Sequence, residues 1–533
     1  MNSPLSRSVG EGQGVRANRG GQDRQRQITV GSFSTLDYLV VAIYLCASVG
    51  LGLWFARGQR SLEDYFVADR SAPWWAAGIS VIAANFSAIS YMGVPAWIMG
   101  HDLQLDMGVI FFPLQMLLVV YLFVPFMARL RLYTIYEYLE YRFGLSARLF
   151  ASLLFVLVRG GHLAVAIYAQ SLALGAVLHL PPVACVWIAG AATTLYTVFG
   201  GMEAVLWTDV MQFFVLVGGI LVILAAILIP FGGDFGAVWH LASEGGHTRM
   251  FSFDLNLTTE VTIWALFFGN LVLNVSAYGS DQVIVQRYFT AGSKREMARA
   301  VMLNGFLTVP LILLLDIIGL GFVAYYKTHP ELRASLANLD QILPHFVTHT
   351  LPMGLRGLVI AGILAATMST LSSGLNSLCT VTMMDFYRRF RKVPADAPTE
   401  GVGTARWFTL GWGLLITVAA LYVHRLGPIV EGTLKLLGFL SGPLLGMYLL
   451  GILTRRANNV GVLSGAVLGT LLTAYVWKET KISWLWYGPV GCLATLAAGY
   501  ALSFLRPALS AERVTALTVW GRDAEHAPEP SRS

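Results

Sequence analysis

Thirteen apolar stretches, each about 20 residues long, recur along this chain near 35–56, 74–98, 106–128, 148–178, 181–199, 203–230, 260–284, 298–326, 354–386, 404–424, 428–453, 459–477 and 483–505. Inside a bilayer an apolar segment of this length satisfies its own backbone only as a helix. The connectors are short, and no soluble-looking block interrupts the series, so residues 35–505 read as one all-α bundle of about 13 transmembrane helices. Charged residues are only 12% of the chain, against about 25% in soluble domains, and the reading is an integral membrane protein. Residues 1–34 and 506–533 are polar tails. The first has neither an apolar core nor a small-residue cleavage pattern, which predicts a disordered arm rather than a removable signal.

Orientation follows from the basic residues. If 57–73 is cytoplasmic, so are the loops carrying Arg129, Arg131, Arg142, Arg287, Lys294, Arg295, Arg388, Arg389, Arg391, Lys392, Arg455 and Arg456. The opposite loops are poorer in Lys and Arg, and the positive-inside rule places the N-terminus outside and the C-terminus in the cytoplasm of a cell membrane protein. Five arginines from Arg7 to Arg26 on the external tail pull the other way. The net charge of +6 belongs to loops facing anionic lipid rather than to a nucleic-acid surface. Cys46, Cys185, Cys379 and Cys492 lie in apolar runs without metal-ligand spacing and read as small core residues.

Two spans are interrupted. "WWAAGISVIAANFSAISYMGVPAWIMG" holds Asn85, Ser87, Ser90, Gly93 and Pro95, and "WALFFGNLVLNVSAYGSDQVIVQ" holds Gly269, Asn270, Asn274, Ser276 and Gly279. They are five spans apart, an odd separation that sets corresponding helices antiparallel, as two inverted five-helix repeats require. The repeats fall at about 74–230 and 260–453. Broken helices at matched positions mark a binding site, which makes Asn85, Ser87, Ser90, Asn270 and Asn274 candidate solute contacts. Small residues for helix packing are the competing explanation for either helix alone.

A third apolar run carries "ATMSTLSSGLNS", residues 366–377. At 3.6 residues per turn Ala366, Ser369, Thr370, Ser373, Asn376 and Ser377 form one face, with Ser372 beside it. Hydroxyls and freed carbonyls offer oxygen ligands to a hard cation without burying several carboxylates. Helix packing would also use such residues, but less densely. Asp209 and Asp316 are ionisable groups within spans and therefore functional candidates. Nothing in the sequence names a partner for Asp316. Arg159 and His162 lie one turn apart and can face an anion, pair with an acid or reach the interface.

Several stretches resemble the sodium/solute symporter family across roughly 35–480: "SLEDYFVADRSAPWWAAGIS", "YTIYEYLEYRFG", "TLYTVFGGMEAVLWTDVMQ", "SDQVIVQRYFTA" and "AATMSTLSSGLNSLCTVTMMDFYRR". The resemblance implies a LeuT-like 5+5 inverted-repeat core and sodium-coupled alternating access. It implies a first sodium site at Ala83, Phe86, Ala366, Ser369 and Thr370. It implies a second at Asp209, Ser372 and Ser373 with Ser369, hence two sodium ions. "SAISYMGVPA" looks like the sialic acid and organic anion members, in which hydroxyls matching Ser87 and Ser90 hold a carboxylate. Those members place an arginine where this chain has His162, with Arg159 one turn earlier. Sugar members carry a Glu-Gln pair where Ile89 and Ser90 stand here, so a carboxylate-bearing solute is favoured over a sugar or polyol, although "DQVIVQR" looks like the sugar cotransporters.

The chain is expected to act as a monomer on a small organic solute in the lipid bilayer, and not as an enzyme: it has no HExxH, nucleophile elbow, P-loop or clustered acids. A membrane enzyme or a transporter-like sensor is the reading outside transport.

Overall fold

A computed structural model describes residues 33–56, 62–130, 132–178, 180–334, 336, 338–391, 402–426, 429–506, 514 and 517–519. Most of both tails, with the five N-terminal arginines, lies outside the described residues, as do Arg131 and Lys392.

Every expected apolar window falls on helix. Among the described residues nine helices are long and apolar enough to cross a bilayer, or ten if a pair bent by 55° is one span. That pair is Trp74–Asn85 and Ala88–Gly100, here α2 and α3, after α1 at Thr35–Ala56. Then follow α4 (Asp106–Leu130), α5 (Leu145–Leu178), α6 (Pro182–Leu228), α7 (Ile263–Ser280) and α8 (Gln282–Phe289). The chain continues through α9 (Lys294–Thr328), α10 (Leu355–Val381), α11 (Val402–Ala420), α12 (Ile429–Leu453), α13 (Asn459–Glu479) and α14 (Tyr487–Leu502).

Local chemistry sets the breaks. Gly201, with φ 70° and ψ 177°, separates the two halves of α6, a geometry open to glycine alone. Between α2 and α3 the chain leaves the helix at Phe86 (φ −84°, ψ 84°), and the Ser87 side chain caps α3 by accepting from Ile89 N at 3.1 Å. Pro95 lies within α3 and does not end it. In the second interrupted span α7 runs unbroken through Gly269, Asn270, Asn274, Ser276 and Gly279. The break comes at Asp281 (φ −87°, ψ 123°), whose carboxylate caps α8 through Val283 N at 2.8 Å. A capping acid stops this helix, not the small residues before it.

Helix α10 is the centre of the bundle, packed on α1, α2, α5, α6 and α11, with 94% of its apolar window buried. Its start is anchored by Asp37 of α1, which is fully buried. The Asp37 Oδ1 atom accepts from Gly354 N at 2.7 Å and Gly357 N at 2.9 Å, while Oδ2 accepts from Ser34 N and Oγ. A carboxylate at a helix N-terminus satisfies orphan donors and opposes the dipole. Asp37→Ala is therefore expected to cost about 3 kcal/mol, the scale of two hydrogen bonds to a charged group, seen as a lower midpoint in thermal unfolding of the purified protein. An unchanged midpoint would remove this anchor from the account.

At the other end of the chain Gly461, Gly465 and Gly469 of α13 meet α14 backbone to backbone. A Cβ on Gly465 would sit 2.6 Å from Gly499 Cα.

Two loop assignments are corrected. Arg142 and Arg287 are each 1% exposed, so neither is a solvated cytoplasmic cation. Arg142 donates to the carbonyls of Gly451 and Thr454, and Arg287 pairs inside the bundle. Of the four cysteines, Cys46 is exposed on α1 and the other three are buried.

Candidate functional site

The break after α2 changes what its last carbonyls can do. In a continuous helix Ala83 O would accept from Ser87 N, but Ser87 N turns to Asn85 O at 3.1 Å. Ala83 O is thus released toward α10, where Ser369 Oγ donates to it at 2.8 Å and to Ala366 O at 2.9 Å. Thr370 Oγ1 donates to the same Ala366 O at 3.0 Å. Four of the five expected first-site residues therefore meet across the α2–α10 contact, and Phe86, 4% exposed, sits at the break itself. A hydroxyl that donates to a carbonyl can rotate and present its lone pairs to a cation instead.

One turn further along α10 from Ser369, a second group forms around Asp209 of α6, which is fully buried. Its Oδ2 accepts from Ser80 Oγ at 2.6 Å, from Arg287 Nη2 at 2.8 Å and from Ser373 Oγ at 3.4 Å. Arg287 also donates to Ser373 Oγ, to Ser80 Oγ at 2.7 Å and to Val283 O at 2.6 Å. Asp209 Oδ1 has no hydrogen-bond partner among the described residues. Ser372 joins through Ser369 O, to which it donates at 3.1 Å. The structure thus brings Asp209 and Ser373 together, links Ser372 less directly, and adds Ser80 and Arg287, which the sequence reading did not assign. The signal for Arg287 is a charged side chain six residues after the break at Asp281, flanked by Val283, Ile284, Val285, Tyr288 and Phe289.

All seven expected solute contacts, Asn85, Ser87, Ser90, Arg159, His162, Asn270 and Asn274, line one cavity of about 300 Å³ among α2, α3, α4, α5, α7, α9 and α12. They do not stand alike. Asn85 Nδ2 donates to Tyr278 Oη at 2.5 Å and Asn274 Nδ2 to Gln115 Oε1 at 2.7 Å. Arg159 is paired with Asp281, so its charge is already met. Both ring nitrogens of buried His162 lack a partner among the described residues. Tyr278 and Asp281 are further lining groups that were quoted in a motif but given no role.

"DQVIVQR" is accounted for by structure. Asp281 caps α8 and holds Arg159. Gln282 donates to Tyr133 O at 2.8 Å and accepts from Ile135 N at 2.9 Å. Gln286 donates to Phe66 O at 2.8 Å and accepts from Ser377 Oγ at 2.9 Å. A stretch this committed to positioning α8 carries little information about the solute.

The described part of the chain can now be set beside known proteins. The profile of the sodium:solute symporter family matches residues 65–469. Over 474 residues the chain is 33% identical to the sodium/sialic acid symporter NanT of Aliivibrio fischeri, covering 88% of this chain and 93% of that protein. It is 30% identical over 472 residues to the sodium/sialic acid symporter SiaT of Proteus mirabilis (88% and 94%), and 33% identical over 456 residues to the sodium/iodide cotransporter of Homo sapiens (84% and 70%). Among solved structures it matches a substrate-bound, outward-open Na⁺-coupled sialic acid symporter with a TM-score of 0.84 at 30% identity, over 90% of this chain and 100% of that one. Mhp1, a nucleobase-cation-symport-1 transporter, matches at 0.54 and 15% identity over 87% and 99%, a likeness of fold alone. The helical bundle with a broken first core helix is thus the LeuT-like fold that the sequence led us to expect, and the chain belongs to the sodium:solute symporter family.

Proposed function

We propose that this protein imports a small carboxylate-bearing solute, of the sialic acid or monocarboxylate type, together with two sodium ions by alternating access. The observation that carries the solute class is the N-terminus of α3. Ser87 and Ser90 face the cavity there, and a half-helix N-terminus offers backbone donors and the positive end of a dipole to an anion. The start of α8 lines the same cavity, but Asp281 already occupies it as a cap. His162 supplies an unsatisfied polar group opposite, and Arg159 contributes through its pair with Asp281.

In this reading Ala83, Phe86, Ala366, Ser369 and Thr370 hold the first sodium ion, and Asp209, Ser372 and Ser373 hold the second. The ions stabilise one state of the carrier over the other, and that difference in affinity is the coupling. The N-terminus lies outside and the C-terminus in the cytoplasm. After Arg142 and Arg287 are set aside, ten of the twelve basic residues named for those loops remain on that side. Spans 2–6 and 7–11 are the two repeats, and the working unit is the monomer.

A thermal-shift panel on the purified protein tests the reading, with N-acetylneuraminate, short monocarboxylates and hexoses offered in sodium and in choline buffer. A ligand at a hundredfold excess over its Kd stabilises the folded state by about 2.7 kcal/mol. The expected result is stabilisation by an acid in sodium only, lost in Thr370→Val. An equal response to hexoses would favour the sugar alternative, and a response indifferent to sodium would sink the ion sites.

A further inference from the structure

One pair of acids remains outside the sites described. Asp106 opens α4 and lines the solute cavity, as do Thr308 and Ile312 of α9. Asp316 follows on the same face of α9, one turn beyond Ile312. It is 4% exposed, and neither of its carboxyl oxygens has a hydrogen-bond partner among the described residues. The same is true of Asp106 Oδ2. The turn that Asp106 opens, Asp106–Phe111, packs directly on α9, the helix that carries Asp316.

Among the described residues no cation pairs with Asp316 or with Asp106 Oδ2. Helices α2 and α3, which pack on α9, carry no charged side chain. Asp209 of α6 and Arg287 of α8 are paired with each other. Arg129 stands at the far end of α4 from Asp106, Glu203 lies toward the kink of α6, and His240 on the Phe235–Ser243 helix is exposed beside Glu244. Across the cavity Arg159 is held by Asp281, and His162 sits one turn away.

Two acids on packed elements, with three of their four carboxyl oxygens buried and lacking a donor among the described residues, do not both ionise readily in a medium of low dielectric constant. The solute cavity adds a second constraint. With Arg159 balanced by Asp281, an ionised Asp106 would leave the wall negative toward an anionic solute.

We propose that Asp106 and Asp316 form a proton-binding site on the wall of the solute cavity: the pair keeps one proton at neutral pH and takes up a second from the external solution when an anionic solute binds. The proton adds to a carboxylate oxygen of Asp106, converting it to the neutral acid. Anion and proton then raise each other's affinity by the same factor, as linkage demands. The solute half of the proposal rests on the carboxylate reading above, whereas the proton half does not.

Infrared spectroscopy of the full-length protein reads the site without any solute, because a protonated carboxylic acid has a carbonyl stretch that a carboxylate lacks. Spectra between about pH 5 and about pH 9, a range that spans ordinary and buried carboxyls, are expected to show that band at neutral pH, shifted in heavy water. Asp316→Asn is expected to remove it and Asp106→Asn to abolish its growth on acidification. Absence of the band in the unaltered protein at neutral pH, or its persistence in both variants, overturns the proton site. Sodium-driven uptake of labelled N-acetylneuraminate is then measured on either side of neutrality, with KM expected to fall severalfold in acid and to become independent of pH in Asp106→Asn. A pH-independent KM in the unaltered protein overturns the linkage. The infrared signature together with no uptake of any organic anion overturns the solute class and leaves the proton site standing.

Discussion

In alkaline medium, where Asp106 stays ionised and no proton accompanies the solute, Asp209→Asn will turn a transporter that carries current into one that does not. Under those conditions two sodium ions and a monoanionic solute bring in one net positive charge per cycle. At about 100 mV that charge supplies about 2.3 kcal/mol, and two ions moving down a tenfold gradient add about 2.8 kcal/mol. The sum supports accumulation of roughly several thousand-fold. With one ion the cycle is electroneutral and is left with about 1.4 kcal/mol, or roughly tenfold. In proteoliposomes the expected outcome is loss of substrate-induced current, a fall in the sodium Hill slope from about two toward one, and retained exchange of solute across the membrane.

The carboxylate of Asp209 is also the partner of Arg287, so its removal leaves a buried cation uncompensated, at about 3–5 kcal/mol. Ser372→Ala separates the two effects, because Ser372 bonds Ser369 O rather than Asp209 or Arg287. It is expected to reproduce the change in charge per solute with little loss of stability. An unaltered ratio of charge to solute in both variants would refute the second ion site.

The second large effect is expected at Asp385, which stands in a π-helical turn after α10, Thr382–Tyr387. This carboxylate is fully buried, accepts from Ser152 Oγ at 2.6 Å and Thr134 Oγ1 at 2.8 Å, and is paired with Arg148. Arg148 also pairs with Glu137 at 3.2 Å and Glu140 at 2.7 Å. One guanidinium thus serves three acids, of which Glu140 also pairs with Arg389. Arg148→Met removes the shared cation and leaves Asp385 and Glu137 without it, whereas Asp385→Asn leaves Arg148 two partners and keeps an acceptor for the hydroxyls. The first is expected to cost at least about 3–5 kcal/mol and the second clearly less, as read from midpoints of thermal unfolding. Equal losses, or a larger one for Asp385→Asn, would contradict the account of Arg148 as the central group.

Much of this architecture was legible because the bilayer allows so few solutions. Apolar length fixed the helices, and the matched interruptions five spans apart located the cavity, with all seven proposed contacts on its wall. The hydroxyl face of α10 was readable from its period alone. Pairing across the bundle was not. Arg142 and Arg287 look like loop cations to any rule that counts charge near a span end, and only packing shows that each is buried. Asp316 had no visible partner because Asp106 is 210 positions away in the sequence, at the start of another helix. The second break was misplaced for a related reason: small residues weaken a helix only where nothing packs on them, while a capping aspartate ends it outright.

The near-complete burial of α10 bears on how the chain is made. A segment with six hydroxyl or amide side chains in nine positions would be poorly matched to lipid if it had to wait there for company. Its neighbours α1, α2, α3, α5, α6 and α8 all precede it in the sequence, and among the described residues α11 is the main transmembrane helix packed on it that follows. Synthesis runs from the N-terminus, so the surface that accepts those polar groups has already left the ribosome when α10 emerges. A helix dense in hydroxyls is thus delivered into a cradle that is already largely built, and biogenesis asks the membrane to hold it alone only briefly.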